Sequence, residues 1–160
     1  MTRTVKEESS SDRTEARRRM SGLEYMRKLM TGEMTASGMA QLMNFKLTEV
    51  SEGRAVFSIM PDERHYNGLG IAHGGLAATL LDTATGCAIN TMMPAGRIFT
   101  TLEMKVNYVR PMKRETGLVR CEAHVIHVGS QVATAEGRIV DAEGKLYAHG
   151  TATCMLFRVQ

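Results

Sequence analysis

The chain of 160 residues is long enough for one domain with a proper core and too short to argue for two, and its 43% hydrophobic and 23% charged content is ordinary for a globular protein. Of the net charge of +3, residues 1–20 hold +2 (six Lys/Arg against four Asp/Glu), so the remaining body is near neutral and offers no basic face for nucleic acid. No stretch approaches the ~20 apolar residues that span a bilayer, and residues 1–20 contain no apolar signal core, so neither membrane insertion nor secretion is expected.

Residues 1–20 are rich in Ser, Arg and Glu and read as a disordered polar tail, with Arg17-Arg18-Arg19 a solvated lead-in rather than a nucleic-acid arm. A single domain is expected over 21–160. Leu23, Met26, Met30 and Met34 recur at helical spacing and predict a short amphipathic helix over 22–34. Two strands follow, 42–49 and 53–60, around the turn Ser51-Glu52-Gly53. A polar loop runs from Pro61 to Gly70 with Asn67-Gly68 as its turn. A long helix over 73–91 ends at Met93-Pro94-Ala95-Gly96. The period then changes to two: Leu102, Met104, Val106 and Tyr108 alternate with polar residues in a one-sided strand closed by Pro111. Strands at 117–128, 131–140 and 145–157 complete the chain, the last two joined by the hairpin turn Asp141-Ala142-Glu143-Gly144. Long strands with short turns imply an antiparallel sheet, and the one fully apolar helix must lie on its face. The fold class is α+β.

That helix carries the chemistry. Between His73 and Met93 the only formally charged side chain is Asp82. A helix apolar on nearly every face is a buried one, and a carboxylate inside it is costly unless satisfied. Asp82 therefore reads as a general base or nucleophile, against the plainer reading of a buried Asp bonded to backbone or to Asn67. Gly74-Gly75 opens the helix, where the first N–H groups lack internal partners and favour negative charge. Glycine there would let a ligand approach, which suits a phosphate or an oxyanion; a tight turn without ligand is the alternative. Eight residues separate Gly74 from Asp82, or about 12 Å along the axis, whereas reacting groups must meet within about 3–3.5 Å. If both act on one substrate, Asp82 must come from a second copy of the chain.

The run Asn67…His73-Gly74-Gly75…Asp82…Gly86, followed by Thr101-Leu102-Glu103-Met104-Lys105-Val106-Asn107-Tyr108-Val109-Arg110-Pro111, resembles the hotdog-fold acyl-CoA thioesterases of the phenylacetate-pathway (PaaI-like) type, from about Gly38 to Phe157. The resemblance implies a long central helix wrapped by an antiparallel sheet. It implies that Asn67 and the N–H of Gly74 hold the thioester carbonyl, while Asp82 of the partner subunit attacks it or activates water. Thr101, or Thr100 with a register one residue off, would supply a hydroxyl near that water. His73 and Gly75 would shape the substrate loop. The substrate would be an acyl-CoA, the active form a homodimer with shared sites that pairs into a dimer of dimers, and the compartment the cytoplasm. No cofactor is expected, coenzyme A being part of the substrate.

Coenzyme A needs cations for its phosphates, and Arg110, Lys113 and Arg114 are the candidates. The family's basic residue after the glycine at Gly129 is replaced here by Ser130-Gln131. Cys121, His124 and His127 have metal-like spacing, but on a regular strand 121 and 127 face one side and 124 the other, so no metal site is expected. Cys87, Cys121 and Cys154 lie far apart and read as buried free thiols in a reducing compartment. His65 and His149 read as structural. Met92, Met93 and Met104 are the candidate methionines for an acyl pocket, with core filling the plainer role. Two rivals remain: a hotdog hydratase or dehydratase, which needs a proton-shuttling His where Asn67 stands, and an acyl-CoA-binding protein without catalysis.

Overall fold

A computed structural model describes residues 10–159. Its elements are α1 (Ser10–Arg19), α2 (Gly22–Thr31), α3 (Gly38–Leu42), β1 (Lys46–Ser51), β2 (Arg54–Ile59), α4 (Gly74–Thr91), β3 (Arg97–Tyr108), β4 (Val119–Val128), β5 (Val132–Val140) and β6 (Leu146–Arg158). The strands form one sheet in the order β1-β2-β4-β5-β6-β3, every neighbouring pair antiparallel. α4 lies across one face and touches all six strands.

The sheet face of α4 is apolar at the helical period: Leu76, Ala77, Leu80, Leu81, Ala84, Ala88 and Ile89 are fully enclosed. Burying each large side chain contributes roughly 1.5–3 kcal/mol. The helix comes close because Gly137, the cross-strand partner of Gly150 in the middle of the sheet, leaves room for Leu81, which a Cβ there would meet at 3.1 Å; a Cβ on Gly150 would instead strike the Lys105 carbonyl of β3 at 2.5 Å. The opposite side of α4 departs from the expectation of burial on every face. Gly75, Ala78, Thr79, Asp82 and Thr83 are only partly covered.

The N-terminal expectations need correction. Residues 1–9 lie outside the described residues, but Ser10–Arg19 is a helix, not a disordered tail. Its composition is polar, so no periodicity announces it; tertiary anchoring holds it. The Arg17 guanidinium donates to Asn90 Oδ1 at 2.9 Å and stacks 4.4 Å from the Tyr25 ring, and the Arg17 carbonyl accepts from the Gly96 N–H at 2.8 Å. Arg18 and Arg19 pair with Glu15 on the helix's own surface. α2 stops at Thr31 rather than 34 because Gly32, at φ 77°, caps it and donates to the carbonyls of Leu29 and Lys28. Residues 38–42 form α3, capped by Ser37, where the expected first strand began at 42; β1 starts only at Lys46.

Bulges reset the strand phase in ways alternation does not reveal. In β3 the register shifts between Thr101 and Glu103, so Thr101 pairs with Cys154 and Met104 with Ala152, both partners pointing to the core. Thr101 thereby shares the inner face with Met104, while Leu102, expected inside, is 58% exposed. In β4 a shift between Val125 and His127 pairs His127 with Thr134. His127 thus joins His124 on the outer face, opposite to the expected phase, and Cys121 stays in the core. No three metal-type side chains cluster among the described residues. Asp141 closes the β5–β6 hairpin, accepting from the N–H groups of Lys145 and Glu143 and from Tyr147 Oη; these donors hold its carboxyl below the usual range.

Candidate active site

The loop before α4 is built by its own polar groups. His65 is nearly enclosed, and its Nδ1 accepts from the Asp62 N–H at 3.0 Å, while its carbonyl accepts from the His73 N–H at 2.7 Å. At the turn, Asn67 Oδ1 accepts from the Leu69 N–H at 2.9 Å. That bond fixes the amide's orientation and leaves Nδ2, a double donor, without a hydrogen bond among the described residues. His73 is the N-cap of α4: its Nδ1 accepts from the Gly75 N–H at 2.8 Å. The ring's proton is therefore on Nε2.

The two glycines separate in role. A Cβ on Gly75 would sit 2.9 Å from His73 Nδ1, so Gly75 makes room for the cap, not for a ligand, and its N–H is spent. A Cβ on Gly74 would lie 3.3 Å from the Tyr108 ring, and the Gly74 N–H has no hydrogen-bond partner among the described residues. Asn67, His73, Gly74, Tyr108, Arg110 and Tyr147 help to line one cavity of about 400 Å³ at this end of α4. Tyr108 and Tyr147 were not foreseen; their place depends on where the ends of β3 and β6 meet the helix, which no local pattern encodes.

Asp82 is elsewhere. It does not line this cavity, and it is partly exposed in the single chain rather than fully buried. Its Oδ1 accepts from Thr101 Oγ1 at 2.8 Å. Thr101, not Thr100, is thus the hydroxyl beside the carboxylate, because the β3 bulge turns it inward; Thr100 is exposed. Cys154 Sγ stands 3.8 Å from the same hydroxyl, a contact the sequence did not signal. The partner of the Asp82 carboxylate is thus Thr101 rather than the backbone or Asn67.

The cations divide. Arg110 lines the cavity, with Nη1 donating to the Leu146 carbonyl at 2.7 Å. Lys113 and Arg114 do not line it. Arg114 faces a neighbouring cavity with Asp62, Glu63 and Arg64, where Arg64 grips Asp62 and holds that carboxyl down to about 2. Beside the departure at Ser130-Gln131, the Arg97 guanidinium donates to the Ser130 carbonyl. Met93 is core, Met92 and Met104 pack against it, and none lines a cavity named here. All three cysteines are free, and burial pushes the Cys87 thiol up to about 12 and Cys121 higher.

Residues 69–148 match the family described as the thioesterase superfamily. The chain belongs to the thioesterase superfamily. A Halobacterium salinarum relative that carries an esterase name is 33% identical over 132 residues, covering 76% of this chain and 85% of that one. Acyl-coenzyme A thioesterase 13 of Homo sapiens is 31% identical over 108 residues, 67% of this chain and 76% of its own. The PaaI protein from the phenylacetic acid degradation operon of E. coli superposes with a TM-score of 0.74 at 22% identity, covering 88% of this chain and 97% of that one. This thioesterase has the hotdog architecture and resembles PaaI-type proteins in fold. Among its described residues no helix is long and apolar enough to cross a membrane.

Proposed function

We propose that this thioesterase hydrolyses acyl-CoA to a free acid and coenzyme A, with each site shared by two copies of the chain. Asn67 Nδ2 and the Gly74 N–H of one copy hold the thioester carbonyl and stabilise the charge that develops on it. Asp82 of the other copy attacks that carbon or activates water, with Thr101 steadying the carboxylate. Arg110 holds the coenzyme at the cavity mouth. The observation that carries this reading is the separation itself. The unpaired Gly74 donor and Asp82, which Thr101 of β3 meets, lie on one helix about 12 Å apart by helical rise, and only the first lies in the cavity. The copies would meet along β3, an edge strand that carries Thr101 and has no neighbour on its outer side among the described residues. Pairing of such dimers into tetramers belongs to the same reading, as does a reducing, cytoplasmic setting for three free thiols.

The hydratase rival is disfavoured by His65, the histidine nearest to Asn67 in sequence. Its Nδ1 is committed to the Asp62 backbone, and it does not line the cavity. The binding-only rival leaves the Asp82–Thr101 pair without a purpose. Thiol release from acetyl-, hexanoyl-, benzoyl- and phenylacetyl-CoA tests all three. Asp82→Asn is expected to fold normally and to lose at least about a hundredfold in turnover. Undiminished hydrolysis by that variant removes Asp82 from the mechanism; enoyl-CoA hydration without thiol release favours the hydratase.

A further inference from the structure

Immediately after Asp82, Thr83 and Cys87 stand one turn apart on α4, and they wall a second cavity of about 400 Å³. Met26, Leu29 and Met30 of α2 form its opposite wall, and Phe57 of β2 lines it too. Met26 to Met30 spans about 6 Å along the helix axis, so the wall is elongated. Methionine is unbranched and pliant and conforms to a flexible chain better than to one rigid shape. Nearly all of this lining precedes residue 69, where the family match begins, so the cavity is built mainly by the N-terminal elements.

The wall carries no charge at Cys87, whose thiol stays protonated because of its burial. Arg17 also borders the cavity, but its guanidinium is committed to Asn90 and to the Tyr25 ring. Lys46 borders the cavity as well, while Tyr25, Met26, Leu29, Phe45, Leu47 and Phe57 make most of the lining apolar and suit a hydrocarbon chain.

We propose that this cavity receives the acyl chain of the thioester whose carbonyl Asp82 reaches. The substrate class is then medium-chain, unbranched aliphatic acyl thioesters rather than acetyl or aryl ones. This rests on the reading of Asp82 given above. A volume of about 400 Å³ lies within the ~300–1,000 Å³ of small-molecule sites.

The test is kcat/KM for thiol release from acetyl-, hexanoyl-, decanoyl- and phenylacetyl-CoA by the full chain, and by Ala36→Trp and Leu29→Ala. Ala36 lines the cavity, and an indole there would fill it. For the unaltered protein kcat/KM should rise roughly fourfold for each methylene that enters, with decanoyl above phenylacetyl. Ala36→Trp should lower the decanoyl-to-acetyl ratio at least about tenfold. Leu29→Ala, which enlarges the space, should shift the optimum to longer chains, and it carries the test should Ala36→Trp fail to fold. A flat profile, or a preference for phenylacetyl, with activity still lost in Asp82→Asn, overturns this inference and leaves the role of Asp82 standing. No thiol release from any thioester overturns both.

Discussion

At His73 the side chain caps α4 through Nδ1, and the residue also lines the cavity, where a histidine could act as a proton carrier instead. The two roles separate by substitution. His73→Asn keeps an N-cap acceptor, so both melting temperature and turnover should stay near those of the unaltered protein. His73→Ala should cost about 1 kcal/mol in chemical denaturation. A turnover collapse in His73→Asn would make the ring a participant. Thr101 holds Asp82 by a hydrogen bond to a charged group, worth about 1.5–3 kcal/mol. Thr101→Val should therefore lower kcat by roughly tenfold to a hundredfold, and Thr101→Ser should restore most of it. Asp82, Asn67 and Gly74 were legible as residues because a lone acid in an apolar helix and a glycine pair after a polar loop are local anomalies. Thr101 was not decided by local pattern, since plain alternation puts Thr100 on the inner face with Leu102 and Met104; only the bulge reverses it.

At the scale of elements, α4 and the last four strands follow from period and turn chemistry, whereas α1 does not. Its sequence is that of a solvated segment, and it is held by Arg17 reaching Asn90, which is 1% exposed. Removing that guanidinium leaves Asn90 Oδ1 without its partner, beside an Nδ2 that already has none. Arg17→Ala should cost about 1.5–3 kcal/mol and lower the melting temperature by roughly 3–12 °C in calorimetry. An unchanged melting temperature would mean that α1 contributes nothing to the fold. α3 was missed for a related reason: five residues with exposed Met39 and Leu42 display no stripe, and the cap at Ser37 is the only local sign.

At the scale of the whole molecule, the shared-site reading makes a statistical prediction. Asp82→Asn and Asn67→Ala should each be inactive alone. Unfolded together and refolded as a mixture, half of the dimers are mixed, and each mixed dimer holds one intact site of two. About a quarter of the unaltered activity should return. Recovery no greater than the sum of the separate variants would place both residues in a site within one chain. The open flank of α4 beside the β3 edge, which local reading took as buried, is where that second copy would lie.

Read alone, the amino-acid order determined a wrapped apolar helix, an antiparallel sheet, one anomalous acid and the improbability of that acid reaching its own helix's first N–H groups. These are consequences of periodicity and of fixed helical rise, which act within a few residues. Tertiary structure decided which threonine meets Asp82, which cations stand near Gly74, that residues 10–19 are ordered, and that a second cavity opens behind Thr83. Each of these depends on bulges and on contacts between segments tens of residues apart, where register and packing overrule local preference.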